Sequence, residues 1–380
     1  MTSKQRFLAA LERKTPDRLP VTTHHVMEYF LNRYMGGMDA QAFFDLFGLD
    51  PILWLAPMKP DAARGEYWHQ SLPGVIVSDQ WRVSEQELPP VDGYRVRRIT
   101  IETPKGALTA TLQSNDWTTW LTERFVKERG DIDLIAEFMT MPVYDVEAVN
   151  REAAAFGERG MVRGTIMPCF EFFGQPGCWQ DAACLYGIER LITTAFEDPE
   201  WVHTFLSVLQ ERKLHAIGSL EGARFDLMEL GGGDASSTVI SPALFDTFVA
   251  PYDRELIAAA HAAGQRIVYH TCGGMMPILE NIVDMGPDAI ETLTPAGMGG
   301  DMDLAEAKRR VGHKVCLIGG FDQFHFFKDC TPEATWAEVR RCFEEAGAGG
   351  GFILSPSDHF FDAGLDLIAA YADAARGCGY

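Results

Sequence analysis

Arg266-Ile267-Val268-Tyr269-His270-Thr271-Cys272-Gly273-Gly274 is the stretch from which the rest of the chain is read. A short apolar run with no polar interruption reads as a buried strand, and the glycine pair ends it sharply. Side chains alternate across a strand, so His270 and Cys272 project to one side. An imidazole and a thiolate together suit Zn²⁺. The ordinary alternative is a core histidine beside a buried small thiol. The position argues for the first reading: a strand end, a glycine turn, then a new helix.

The same pattern repeats on both sides of this stretch. Met161 to Ile166, Phe225 to Leu230, Ala289 to Leu293, Val315 to Ile318 and Phe352 to Leu354 read as strands. Between them lie helices with clear starts: Asp198-Pro199, Ser241-Pro242 and Thr331-Pro332 each place a capping side chain before a proline. The Ser241 helix runs to Gly264, with Pro251 expected to kink it. Helices near 303–311 and 364–376 complete the series. At the start, Ser3 caps a helix with Phe7, Leu8 and Leu11 on one stripe, and Val21-Thr22-Thr23-His24-His25 reads as the first strand. Strand–helix alternation over this length predicts a (β/α)8 TIM barrel spanning 1–380 as a single domain, with an N-terminal helical extension. A doubly wound sheet is the alternative, but no G-x-G-x-x-G follows a strand. Residues from about 72 to 115 differ in kind. They alternate apolar with polar around Pro104-Lys105-Gly106, which predicts an antiparallel β insertion. Trp117 and Trp120 follow it and are read as packing residues, a lid being the alternative.

The totals limit the function. Lys+Arg 33 against Asp+Glu 54 gives a net charge of −21, which argues against nucleic acid and anionic membranes as partners. No apolar run approaches the roughly 20 residues of a spanning helix. Eight cysteines without framework spacing (169, 178, 184, 272, 316, 330, 342 and 378) fit a reducing, cytoplasmic setting.

In a barrel the active site lies at the C-terminal ends of the strands. Polar residues gather there against apolar strand interiors: His24 or His25, Glu229, Asp234, His270, Cys272, Glu291, Asp322, Asp358 and His359. Adjacent strand residues face opposite ways, so one of the two histidines points inward; His25 is taken as that one, with Glu229, Glu291 and Asp322 as the other catalytic candidates. Asp234 and Asp322, beside glycines, also suit turns that bond their own backbone. A catalytic zinc needs about three protein ligands and an open position. His270 and Cys272 supply two; the third is sought among Asp358, His359 and Glu229, and Asp358 is taken.

With these residues in place the sequence resembles the uroporphyrinogen decarboxylase superfamily, and within it the zinc methyltransferases that exchange methyl groups with corrinoid proteins. Phe7-Leu8-Ala9-Ala10-Leu11 with Asp17-Arg18-Leu19-Pro20-Val21 resembles the opening of that family. Ile240-Ser241-Pro242 with Phe245, Phe248, Pro251 and Tyr252 is similar to its helix before the metal strand, and His270-Thr271-Cys272-Gly273 to its zinc strand. Gly319-Gly320-Phe321-Asp322 resembles the Gly-Asn-x-Asp loop, with Gly320 where asparagine is usual. Leu354-Ser355-Pro356-Ser357-Asp358 stands where the methyltransferases end their last strand, but Asp358 occupies the place of their third ligand, a cysteine. The arginine-rich segment of the decarboxylases is replaced by His24-His25-Val26-Met27-Glu28-Tyr29. The resemblance implies zinc-dependent methyl transfer involving a small methyl donor (methoxy, methylamine or methyl-corrinoid) and a corrinoid protein or a thiol or folate acceptor. The corrinoid would ride on a separate chain, since no Asp-x-His-x-x-Gly is present. A decarboxylase or lyase of the same family, acting on a small carboxylated substrate, is the alternative. The donor, the acceptor and the assembly stay open, a homodimer among the options.

Overall fold

A computed structural model describes residues 1–167 and 174–380; Cys169 lies outside them. The apolar runs form a parallel sheet of seven strands. Its order is Ile52–Trp54, Met161–Thr165, Leu227–Gly231, Ile267–His270, Ala289–Thr292, Cys316–Phe321 and Phe352–Pro356. Strand order follows chain order throughout, as right-handed crossovers through helices require. Residues 20–22 close the ring. The Thr22 N–H donates to Leu354 O at 3.0 Å, Leu354 N–H donates to Pro20 O at 2.9 Å, and Val21 O accepts the Asp50 N–H at 2.7 Å. The segment thus sits between the last strand and the first, making a TIM-like barrel. The expected strand over 21–25 is reduced to this one bridge, Val21 with Leu354. The first strand of the sheet is Ile52–Trp54, which its three-residue length hides from periodicity.

Helices cover the outside. Thr2, not Ser3, caps the first one: its side chain accepts the Gln5 N–H in a capping box. Ser3 is the first helical residue, and its hydroxyl donates to Asp50 at 2.7 Å. Pro199–Ile217, Leu304–Val311, Pro332–Ala346 and Leu365–Arg376 lie where the caps place them. The helix after Ser241 is not merely bent. Pro242–Leu244 passes into a π-helical turn, Phe245–Val249, before Ala250–Ala262. Pro251 cannot donate to the preceding turn, and the widened turn accommodates that missing bond.

The insertion is a four-stranded antiparallel sheet: Arg82–Val91, Tyr94–Thr103, Gly106–Ser114 and Thr119–Glu123. It extends past the expected limit near 115. Alternation puts Val83, Ile99, Ile101, Leu108, Ala110 and Leu112 on a buried face. Trp117 does not pack as expected. It stays 55% exposed at a turn, where Asn115 Oδ1 accepts the N–H groups of Trp117 and Thr118. Among the described residues no helix is long and apolar enough to cross a membrane.

Candidate active site and metal centre

Four neighbouring strands each send one polar side chain into the barrel. Register sets Glu291 beside His270, and His270 beside Gly231, the residue that ends the Glu229 strand. Gly231 has to be glycine: its φ is +109°, and a Cβ there would stand 2.3 Å from His270 O. The Met161–Thr165 strand contributes Arg163, which is 1% exposed. An unpaired guanidinium at that depth would be prohibitive, so its partners define the centre.

Arg163 donates to both oxygens of Glu291, each at 2.8 Å, and to Glu229 Oε2 at 3.3 Å. His24 Nε2 lies 2.8 Å from Glu229 Oε2 and 3.3 Å from Glu291 Oε1. His270 Nδ1 is 3.1 Å from Glu291 Oε1 and 3.9 Å from Glu229 Oε2. Ligand atoms of His24, Glu229, His270 and Glu291 all fall within 4.8 Å of one another, close enough to hold a cation. The other nitrogen of His270, Nε2, sits 3.3 Å from Cys272 Sγ. The imidazole is therefore held by carboxylates on one edge and offers the other edge next to a sulfur.

The charges explain the proton affinities. Burial disfavours ionised His270, but Glu229 and Cys272 outweigh it and raise its pKa well above the ordinary value. His24 is raised in the same way by Glu291 and Glu229 against its burial. Burial would push the two carboxylates up, yet His270 and His24 hold Glu229 low and Arg163 holds Glu291 far below its usual range.

Each sequence candidate has a definite place. His270, Cys272, Glu229 and Glu291 converge. His24, rather than His25, reaches the carboxylates. His25 instead stacks on Trp54, with ring centroids 4.4 Å apart, and burial with His24 and His359 nearby depresses its pKa to about 2. The exchange follows from the lost strand: residues 24 and 25 sit in an irregular segment where alternation does not apply. Asp322 lies apart from the cluster. It caps the short helix Gln323–Phe326, accepting the His325 N–H at 3.0 Å, and pairs with His325 Nδ1 at 2.8 Å. Asp358 lines the same narrow cavity as His24, His270 and Glu291, and its carboxylate accepts the His359 N–H at 2.7 Å. His359 stacks on His24 at 5.8 Å. Asp234 is bonded to Gln180 at 2.9 Å.

Sequence reading missed Arg163 and Trp54. The signal for Arg163 was one charged residue inside an apolar strand. Trp54 carries the Arg163 guanidinium 4.4 Å from its ring centroid, and its N–H donates to His24 O at 2.8 Å. It belongs to the strand that was not recognised. Outside the narrow cavity lies a chamber of about 330 Å³ lined by Met298, Phe324, Lys328, Asp358, His359 and Phe360 among others. Lys328 is paired with Asp362 at 2.8 Å. Trp117 of the insertion lies over this side of the barrel, 5.8 Å from Tyr29 and 6.4 Å from Phe361.

A parallel α/β barrel with ionisable side chains crowded at its C-terminal end has the form of a (β/α)8 enzyme scaffold. The model of the uroporphyrinogen decarboxylase (URO-D) family matches residues 166–376, more than half of the chain, and the chain belongs to that family. Curated relatives include the uroporphyrinogen decarboxylase of Neisseria meningitidis serogroup C, 34% identical over 205 residues, covering 50% of this chain and 52% of that protein. The Psychromonas ingrahamii enzyme of the same name is 29% identical over 208 residues, 52% and 54% of the two chains. The chain thus spans about half the length of the curated relatives it matches. Among solved structures, a methyltransferase from Methanosarcina mazei superposes with a TM-score of 0.63, covering 99% of this chain and 98% of that one at 15% identity. That likeness concerns the fold.

Proposed function

We propose that this member of the family is a zinc-dependent methyltransferase, passing a methyl group between a small donor and a corrinoid protein or a thiol acceptor. The observation that carries the reading is the 3.3 Å approach of His270 Nε2 to Cys272 Sγ. Two ligands of one tetrahedral Zn²⁺ at ordinary Zn–N and Zn–S lengths stand about 3.5 Å apart. The other edge of the imidazole meets Glu291, the carboxylate–histidine arrangement that orients a metal ligand. Charge fits as well. Glu229, Glu291 and a Cys272 thiolate carry three negative charges and Arg163 one positive, so a divalent cation balances the set with both histidines neutral.

When bound, zinc would lower the pKa of a thiol or polarise an ether or ammonium donor. The residues of the chain do the rest. Arg163 holds Glu291 rigid, Glu291 fixes the ring of His270, and Glu229 with His24 can take up or return a proton beside the reacting group. Asp358, His359 and Glu229 remain the candidates for a third ligand, and an oxygen or nitrogen there would make a harder Lewis acid than a third sulfur.

The test is metal analysis of the purified chain. About one zinc per chain is expected, lost in His270→Ala and weakened in Cys272→Ser. Absence of zinc, or zinc content indifferent to Cys272→Ser, would end the proposal. A donor screen with added corrinoid protein then identifies the substrate. The second reading is a carboxy-lyase for a small carboxylated substrate, supported by the activity named for the curated relatives. Full turnover in strong chelator with His270→Ala active would favour it. Among the described residues, the cations nearest the site are already engaged: Arg163 is bidentate to Glu291, and Lys328 is paired with Asp362.

A further inference from the structure

A larger cleft lies outside the barrel, between the insertion and the helix Glu28–Tyr34. It measures about 760 Å³, within the range of small-molecule sites. The register of the insertion creates it. Arg95 pairs with Ser114 across the two central strands, so the turns at 92–93 and 115–118 leave the same end of the sheet. Three rings line the cleft: Tyr29 from the helix, Tyr94 after the first turn and Trp117 in the second. Contacts hold each of them. Asn115 Oδ1 accepts the Trp117 and Thr118 N–H groups, both at 2.9 Å, and Tyr94 meets Trp120 edge to face at 5.0 Å. Tyr29 and Trp117 stand at 84° to each other, 5.8 Å apart. Trp117 and Tyr94 are nonetheless 55% and 37% exposed. Large rings fixed in position yet open to solvent form a surface prepared for contact.

The charge of the cleft selects its ligand. Asp92 and Asp116 line it, and among the described residues neither carboxylate has an ion-pair or hydrogen-bond partner. Arg95 lines it too, but Glu87 neutralises that guanidinium through two contacts of 2.8 Å. Past Tyr29 the cleft continues between Glu28 and Arg33. Asp92, Asp116 and Glu28 against Arg33 leave two net negative charges beside the rings. An aromatic face is itself the negative part of a quadrupole, so rings and carboxylates attract the same partner, a cation. A bare metal ion is not the one these walls suit. Among the described residues, the group of three or more histidine, cysteine or acidic side chains close enough to hold a metal lies in the barrel. We infer that the cleft binds a small organic cation, an alkylated ammonium group seated against Trp117, Tyr29 and Tyr94 with Asp92 and Asp116 as its counter-charge. The site stands beside the barrel mouth: Phe361, which lines the chamber outside Asp358, is 6.4 Å from both Tyr29 and Trp117. It uses no residue of the proposed zinc centre and holds for either chemistry in the barrel.

The experiment uses full-length protein and two probes of equal shape, choline and its neutral carbon isostere 3,3-dimethyl-1-butanol, with binding measured by calorimetry. Choline should bind about tenfold more tightly than the isostere, and raising NaCl from about 0.05 to 0.5 M should shrink that ratio. Trp117→Ala should weaken choline by about threefold to tenfold and Trp117→Phe by less. The double substitution Asp92→Asn/Asp116→Asn should bring the ratio close to one. All three side chains are exposed, so melting temperatures should stay at that of the parent. His270→Ala should leave choline binding as it is, whatever it does to zinc content. Equal binding of the two probes, no binding of choline, or choline binding indifferent to Trp117→Ala overturns the inference and leaves the zinc centre standing. Loss of choline binding in His270→Ala places the cation in the barrel and also overturns it. Absence of zinc from the parent, with the choline pattern intact, removes the zinc reading alone and supports this one.

Discussion

Arg163→Met tests the account of the polar centre most directly. The guanidinium is 1% exposed and sits 2.8 Å from both Glu291 oxygens, whose side chain is 3% exposed. Methionine fills similar volume but leaves Glu291 and Glu229 buried with only imidazoles to answer them. Removing one partner of a buried pair costs about 3–5 kcal/mol, because a charge is left uncompensated. Part of this is recoverable: His24 and His270 already have raised proton affinities and will hold their protons more firmly once Arg163 is gone. We therefore expect about 2–4 kcal/mol of destabilisation at pH 7 in urea unfolding, larger at pH 9 where the histidines give up protons. Glu291→Gln alone should also destabilise, and the double substitution should cost at least about 1.5 kcal/mol less than the sum of the singles. Two outcomes would refute the reasoning: a cost below about 1 kcal/mol for Arg163→Met, or simple additivity in the double variant.

Three further substitutions probe other parts of the fold. Asp253 is buried and accepts the Tyr269 hydroxyl at 3.1 Å; burial raises its pKa to about 6. Its ionisation therefore costs stability, with the penalty absent below about pH 4, growing to pH 6 and full at pH 7, where two units correspond to about 3 kcal/mol. Asp253→Asn should stabilise the protein at pH 7 and change little at pH 4; equal unfolding midpoints at pH 7 would contradict this. Lys213 and Asp181, both 0% exposed, pair at 2.6 Å, and Lys213 also donates to Met167 O and Gln175 O. Lys213→Met should cost about 3–5 kcal/mol by denaturant titration, and the Lys213→Met/Asp181→Leu double should recover part of it. Gly231→Ala would force a Cβ against His270 O, so it should lower both unfolding midpoint and zinc content; retention of both would show the strand end to be softer than its contacts imply.

Elements with strong local signals were legible in the sequence. The strand ending at His270 is a continuous apolar run, those ending at Gly231 and Phe321 are mostly apolar segments marked by glycines, and the helices at Pro199, Pro242 and Pro332 announce themselves with a cap and a proline. What was not legible depended on contacts distant in the chain. Ile52–Trp54 is a strand only because Met161–Arg163 pairs with it. Residues 20–22 complete the ring through hydrogen bonds to Leu354 and Asp50, with no periodicity of their own. The same holds at the site. His270 and Cys272 could be placed on one side by alternation within a strand. The choice between His24 and His25 could not, because they lie beyond the bridge at Val21. Asp322 resembles a site residue in sequence, yet its carboxylate is spent on the N-terminus of the next helix and on His325. Arg163 looked like one residue of a strand until Glu291, 128 positions away, supplied its partner.

The same ring of charge accounts for both chemistries that the family frame could host here. Two buried carboxylates and one guanidinium leave a negative charge unbalanced, and Cys272, as a metal ligand, would add another. Protons on His24 and His270 can fill that deficit, as can one divalent cation. The raised proton affinity of the two histidines and the attraction for a cation are then a single property of the site, seen with different occupants. On the proposed zinc reading, metal uptake would expel protons, and acid would compete with the metal at His270. The carboxylates would not have to be ligands to matter: Glu291, clamped by Arg163, would act on a metal held by the far edge of His270 through the ring itself. Which chemistry the barrel performs would then be decided less by the conjunction of His24, Glu229, His270 and Glu291 than by what stands next to it, Cys272 beside His270 Nε2 and Asp358 at the narrow cavity.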